Sequence, residues 1–461
     1  MADIQKLVEN QKSYFNKNKT KNLDFRLAQL SVLEKAVIEN EEKIVSALKK
    51  DLGKSVYESF MTEVGFVVDE IRLTKKHLKA WSRPRRVWTP LKLLPSLSHI
   101  YPEPYGVCLI LSPWNYPVQL TLSPLIGAIS AGNCAMIKPS EHSPATSQVL
   151  ENMFKDNFPD NYIAVIQGGV DLSTALLKEK FDYIFFTGSP GVGKIVMSAA
   201  AENLIPITLE LGGKSPCIVD YNVDIGLAAK RIVSGKFLNA GQTCVAPDYL
   251  MVHTAVKNDL ISAMVMNIEK FYGIDPQKSP DYGRIINHRH FDRLTRYLET
   301  SKIILGGTTN RDDLYMAPTL MTNVSWNAQV MEEEIFGPIL PIFEFEDLDK
   351  VINQVNKRPK PLALYFFSRD RQNQEKILNN ISFGGGCIND TVLHVANPNL
   401  PFGGVGNSGI GNYHGKAGFK TFSHCKSVLN RPFWLDIPLR FPPYKGKIKL
   451  LKIVFKLPFL R

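Results

Sequence analysis

Between Glu103 and Lys138 the chain carries no charged residue, which forces that stretch into an apolar setting, either a membrane or a protein core. Pro113, Pro117 and Pro124, with Asn115, Gln119 and Asn133, exclude the membrane. The prolines would break a single spanning helix, and the amides would be left unsatisfied in hydrocarbon. What remains is a buried succession of strand, loop, helix and strand. It demands a large core. A chain of 461 residues with 44% apolar and 21% charged residues can build one, and at that length two or three packed subdomains are expected.

The flanking pattern extends this reading. Arg26, Leu27, Leu30, Leu33 and Val37 keep helical spacing, continued by Ile44, Leu48 and Leu52, so the first eighty residues read as helices. From Pro84 the texture changes, with Pro90, Pro95, Pro102 and Pro104 marking an extended excursion. Beyond Gly106, β-branched and aromatic runs alternate with helical segments, as parallel βαβ units require. Candidate strands are Val107–Leu111, Ala135–Lys138, Ile163–Gln167, Tyr183–Thr187 and Ile207–Leu211. Candidate helices are Ser143–Asn157 and Asp171–Glu179, with Ser and Asp expected as N-caps. A second α/β pattern runs from Gly213 to about Gly418. There is no internal repeat or low-complexity tract.

Charge and cysteine content narrow the functional classes. Cys108, Cys134, Cys217, Cys244, Cys387 and Cys425 form no C-x-x-C pair, which argues for reduced thiols, a cytoplasmic location and no metal centre. The polar N-terminus has no signal-peptide pattern. Of the formal charge of +11, seven cations and no acids lie from Ile437 onward, leaving +4 for the rest, so nucleic-acid binding by the fold is not supported. The tail, 433–461, is basic and amphipathic. If Lys445–Leu457 is helical, Lys445, Lys449, Lys452 and Lys456 share one face, Lys447 spoils the pattern, and the segment is too short and charged to span a bilayer. Peripheral contact with an anionic membrane is expected, with packing on the protein's own dimer as the alternative.

Chemistry concentrates in a few segments. Gly241-Gln242-Thr243-Cys244 offers a thiol among small residues, where a carbonyl can reach the sulfur, and Glu210 upstream offers a base. A buried structural thiol is the ordinary alternative for Cys244. Phe186-Thr187-Gly188-Ser189-Pro190-Gly191-Val192-Gly193 follows a strand and opens a helix, so its amides could face a pyrophosphate, although the spacing is not G-x-G-x-x-G and a structural turn would look similar. Lys138 and Glu141 end another strand, where a carboxylate can grip a ribose diol and disfavour a 2′-phosphate. Asn115, between aromatics and prolines, could donate to an oxyanion. Glu334 and Phe336 sit in an acidic, apolar turn. His394 and His414 are read as structural or pocket-lining.

Together, Pro113-Trp114-Asn115, Lys138-Pro139-Ser140-Glu141, Phe186-Thr187-Gly188-Ser189, Leu209-Glu210-Leu211-Gly212-Gly213, Gly241-Gln242-Thr243-Cys244 and Glu333-Glu334-Ile335-Phe336-Gly337-Pro338 resemble the aldehyde dehydrogenase superfamily from about Arg26 to Val428. Ala246-Pro247-Asp248-Tyr249, Tyr413-His414-Gly415-Lys416 and Thr421-Phe422-Ser423-His424 resemble its class 3 branch, which includes fatty aldehyde dehydrogenases. The resemblance implies an α/β fold with a Rossmann-type NAD-binding domain (1–84 and 105–211), a catalytic α/β domain (212–418) and a β oligomerisation arm (85–104 and 419–432). It implies a homodimer. It implies oxidation of an aldehyde, medium or long-chain aliphatic or aromatic, by NAD or, alternatively, NADP, with Cys244 as nucleophile, Asn115 as oxyanion donor and Glu210 as base. Lys138, Glu141, Gly188, Ser189, Gly193, Glu334 and Phe336 are the matching cofactor positions, and Glu141 favours NAD. Alternatives are a coenzyme A-acylating dehydrogenase, against which Glu210 weighs, and a catalytically silent protein on the same fold.

Overall fold

The computed structural model describes residues 4–456; Met1, where the cofactor domain was expected to begin, and Leu457 and Arg461 of the tail lie outside the described residues. The N-terminal part is helical, as the spacing predicts, with helices Ile4–Asn16, Leu23–Glu39, Glu41–Leu52 and Gly65–Trp81. The proline-rich excursion is extended: β1 (Arg85–Val87) pairs antiparallel with β2 (Leu97–Pro104).

The uncharged stretch then forms β3 (Val107–Leu111), the helix Gln119–Ala131 and β4 (Cys134–Lys138). Every residue of all three is buried. A helix apolar all round has no solvent face to offer, and parallel strands covered on both sides read as continuous apolar runs. β5 (Ile163–Val165), β6 (Tyr183–Gly188) and β7 (Ile207–Leu211) complete a parallel sheet in the order β7-β6-β3-β4-β5. Counted along the chain from β3, that order is 5-4-1-2-3, the dinucleotide-binding arrangement in which ligands sit beyond the carboxyl ends of the strands.

A second sheet follows. Its strands are β8 (Pro216–Val219), β9 (Tyr249–His253), β10 (Lys302–Leu305), β13 (Thr319–Thr322), β14 (Ile339–Phe345), β15 (Ala363–Phe367) and β16 (Gly385–Ile388), in the order β10-β13-β14-β9-β8-β15-β16. Only β10 is antiparallel to its neighbour. A small hairpin, β11 (Thr309–Asn310) with β12 (Tyr315–Met316), stands apart. The chain then crosses back: β17 (Gly409–Ile410) adds antiparallel to the edge of β7, and β18 (Ser423–Asn430) pairs with β2 along its length. The helix Gly415–Thr421 between them lies so close to the helix Gln119–Ala131 that a Cβ on Gly127 would stand 2.8 Å from the Phe422 ring.

Two local expectations are corrected. Ser143 precedes the helix Pro144–Asn157 but makes no capping bond; Asp51 instead accepts from Ala145 N and Thr146 N at 3.1 and 2.8 Å. Asp171 lies inside the helix Val170–Lys178, whose N-cap is Gly169. In the tail, the helix is Ile448–Lys456, so Lys445 and Lys447 lie outside it. Lys447 folds back to donate to Pro438 O at 2.7 Å and Phe441 O at 2.8 Å, which removes it from the cationic face it was expected to spoil.

Candidate active site

The segment carrying Cys244 leaves the helix Ile225–Phe237 through a reversed turn in which Asn239, Ala240 and Gly241 have φ of 52°, 50° and 73°. Only glycine fits the last position, since a Cβ there would lie 2.3 Å from Gly337 O. Gln242 then locks the turn: its Nε2 donates to Asn239 O at 3.0 Å and Arg284 O at 2.8 Å, and its Oε1 accepts from Ile286 N at 2.9 Å. Thr243 Oγ1 and Tyr116 Oη are 2.7 Å apart, and Tyr365 Oη donates to Val245 O at 2.5 Å. Cys244 thus stands between two anchored neighbours. It is partly exposed, unlike the buried Cys108, Cys134 and Cys217. Burial raises its thiol pKa, and the carboxylates of Glu334 and Glu210 add to the effect, so the resting sulfur carries its proton.

Asn115 and Glu210 come to the same place from the first sheet. Asn115 lies in the loop after β3, is 3% exposed, and donates through Nδ2 to Gln242 O at 3.1 Å. Its second N–H is uncommitted by that bond. Glu210 is the penultimate residue of β7, is 3% exposed, and neither carboxylate oxygen has a hydrogen-bond partner among the described residues. Burial therefore pushes its pKa well above the usual carboxylate value. A carboxylate without partners is a strong base once ionised.

The expected cofactor residues fall at the carboxyl ends of the first sheet. Lys138 closes β4 and pairs closely with Glu141, whose carboxylate is held down by that ammonium against the opposing pull of burial. Gly188 closes β6, Ser189 caps the helix Pro190–Glu202 by accepting from Val192 N at 3.4 Å, and the space beside Gly191 is open. Gly193 lets that helix lie on β7, because a Cβ would approach Leu211 Cδ2 at 2.7 Å. The open helix N-terminus suits a pyrophosphate, and the Lys138–Glu141 pair supplies a donor and an acceptor for ribose hydroxyls, so these residues fit a dinucleotide. Glu334 fills the space above Gly212, where a Cβ would meet its Oε2 at 1.8 Å. It is half-buried rather than buried, and burial followed by Asp248 raises its pKa. Phe336, at φ 50°, sets its ring edge-on to Trp114 at 5.2 Å. Among the described residues, no group of three or more His, Cys, Asp or Glu side chains could hold a metal ion.

Several contacts at the site were not read from the sequence. His414 Nδ1 is 3.2 Å from both oxygens of Glu70, which also accepts from Ser123 Oγ at 2.6 Å and Gly415 N at 3.1 Å. His414 is thereby fixed in a buried position, consistent with a structural or pocket-lining residue. Asn239 and Tyr116 bind the two loops to each other. Tyr116 directly follows Pro113-Trp114-Asn115 in the chain, whereas Glu70 and His414 are too distant in sequence to be paired by spacing.

A model of the aldehyde dehydrogenase family matches residues 1–428. The chain belongs to that family. It is 50% identical to 4,4'-diaponeurosporen-aldehyde dehydrogenase of Staphylococcus aureus over 99% of this chain and 100% of that protein. It is 43% identical to the "Aldehyde dehydrogenase, dimeric NADP-preferring" of Canis lupus familiaris, covering 97% of this chain and 99% of the relative. Aldehyde dehydrogenase family 3 member B2 of Mus musculus is 47% identical, over 93% and 90% of the two chains. Among solved structures, the substrate-bound state of Staphylococcus aureus AldH superposes with a TM-score of 0.97 at 50% identity, covering 99% of this chain and 100% of that one. An NAD-dependent aldehyde dehydrogenase from Sinorhizobium meliloti gives 0.85 at 26% identity, over 94% and 88%.

Proposed function

We propose that this chain, an NAD(P)-dependent aldehyde dehydrogenase, oxidises apolar medium or long-chain aldehydes to carboxylic acids through Cys244, Asn115 and Glu210. The observation that carries the assignment of roles is the convergence of a partly exposed thiol, an amide anchored two residues away on Gln242 O, and a buried carboxyl with no partner among the described residues.

Cys244 Sγ, its proton released to solvent, forms a bond to the aldehyde carbon while the carbonyl pair moves to oxygen. The free N–H of Asn115 Nδ2 and the Cys244 backbone N–H donate to that oxyanion, lowering the barrier where charge develops. Lys138, Glu141, Gly188, Ser189, Gly193, Glu334 and Phe336 would hold a nicotinamide dinucleotide, which would supply the hydride acceptor whose use leaves a thioester on Cys244. Glu210 takes a proton from water, the resulting hydroxide adds to the thioester carbon, and the C–S bond breaks to free the acid and the sulfur. This base favours hydrolysis over acyl transfer to coenzyme A.

Long apolar substrates are supported by the name of the Staphylococcus aureus relative and by exposed Val56, Tyr57, Phe60 and Met61 on the turns preceding the helix Gly65–Trp81. A homodimer is supported by the exposed, unpaired outer edge of β18, a strand edge that another chain can extend. No helix among the described residues is long and apolar enough to cross a membrane. The tail nevertheless exposes Phe433, Trp434, Ile448, Leu450, Ile453 and Phe455 beside its lysines, which suits a cytoplasmic enzyme lying peripherally on an anionic membrane.

Replacing Cys244 by serine tests the assignment. NADH production from octanal should disappear while NAD binding, read by fluorescence quenching, persists; full-rate oxidation by the variant would overturn it.

A further inference from the structure

We propose that Lys54, Glu63 and Asn239, none of which touches the reacting atoms, are positioning residues that hold Asn115 as the oxyanion donor, an inference that rests on the role given to Asn115 above.

Lys54 Nζ and Glu63 Oε1 are 2.6 Å apart, and both side chains are wholly inaccessible to solvent. Burying such a pair costs desolvation on both sides, and an apolar replacement is often no less stable, so stability alone does not account for it. Its remaining bonding capacity shows what it does. Lys54 Nζ also donates to Asn115 O at 3.0 Å and stands 4.0 Å from the centre of the Tyr116 ring. Glu63 Oε2 accepts from the backbone of Val118 at 3.0 Å and Gln119 at 2.8 Å. One cation therefore grips the loop at Asn115, and one carboxylate grips it three and four residues later, at the start of the buried helix Gln119–Ala131.

Asn239 closes the arrangement. Its Nδ2 donates to Asn115 O at 2.9 Å and lies 3.2 Å from Gln242 O, the carbonyl that receives Asn115 Nδ2. The backbone acceptor of Asn115 thus holds two donors, and its side-chain amide has one N–H committed to Gln242 O. The local backbone explains how Glu63 reaches inward: it lies on a π-helical turn, Phe60–Val64, an irregularity that recurs at functional sites. On the same turn Phe60 and Met61 remain exposed.

A double-mutant cycle in the full-length enzyme tests the proposal. Lys54→Met, Asn115→Ala and the double variant would be compared with wild type by kcat for octanal and NAD per thiol-titrated site, KM for NAD, and melting temperature. Lys54→Met should lower kcat about 10- to 100-fold, since a misplacement of about 1 Å has effects of that size, and Asn115→Ala about 100- to 1000-fold. The double variant should be no slower than Asn115→Ala, with KM for NAD unchanged. Multiplying losses, or an undiminished kcat in Lys54→Met, would overturn the inference. Should Asn115→Ala alone keep full kcat, the oxyanion assignment itself fails, and this inference with it. Asn239→Ala leaves the buried ion pair intact and provides a second cycle, judged by the same outcomes, where Lys54→Met does not fold.

Discussion

Replacing Glu210 by glutamine separates two consequences of one buried carboxyl. Glu210 is 3% exposed with no hydrogen-bond partner on either oxygen among the described residues, so the near-isosteric amide breaks none of their bonds. Its pKa in the folded protein lies well above 4.5 because of burial. Between the unfolded and folded values the native state holds a proton that the unfolded chain has released, so stability falls as pH rises through that window. The slope is about 1.4 kcal/mol per pH unit. For 461 residues the unfolding entropy is about 1 kcal/mol per kelvin, which converts the slope to about 1.4 °C per pH unit. Glu210→Gln has no such term, so its melting temperature relative to wild type should climb by that amount for each unit above about pH 5.5, until the folded pKa is passed. Scanning both proteins by differential fluorimetry at half-unit steps gives the difference directly, with contributions common to both cancelling. Activity should move the opposite way. Stopped-flow mixing with octanal should still release one equivalent of NADH per site, while steady-state turnover drops about 100- to 10,000-fold for want of a general base. A melting difference that stays flat with pH, or a variant that turns over at the wild-type rate, would refute the reasoning.

Glu141→Ala should shift the ratio of kcat/KM for NADP over NAD upward by about fivefold or more, the factor for about 1 kcal/mol between like charges about 4 Å apart in water; an unchanged ratio removes Glu141 from cofactor choice. Truncation after Asp436 should abolish cosedimentation with phosphatidylserine liposomes at 0.15 M salt, as cation-driven binding requires, and leave kcat intact. Unchanged partitioning of the truncated enzyme would place the tail elsewhere.

How much of this was legible depends on whether a feature is local. β3, β4, β6 and β7 were readable because strands covered on both faces show largely apolar runs, and a glycine or proline lies at or within two residues of each strand's end. Cys244, Glu210 and Asn115 stand out in the sequence as candidates because their neighbours are short, recurrent motifs. The N-cap of Pro144–Asn157 was not, because the acceptor comes from Asp51, far back in the chain, and displaces the adjacent serine. Glu63 and Lys54 were invisible for the same reason: in a helical segment two charges read as a solvated face, and only the return of residues 115–119 turns them into a buried clamp.

That division has a physical consequence for catalysis. The proposed reacting groups are carried by local motifs, yet each is held by contacts that no motif contains: Glu210 by the β17 strand that arrives from Gly409, Cys244 through Thr243 on Tyr116 and Val245 on Tyr365, Asn115 by Lys54 and Asn239. An amide displaced by about 1 Å from the developing oxyanion loses part of its effect, so the distant contacts bear on the rate along with the motif residues. Two chains sharing every motif but differing at Lys54 or Glu63 should therefore bind the same cofactor and differ in kcat.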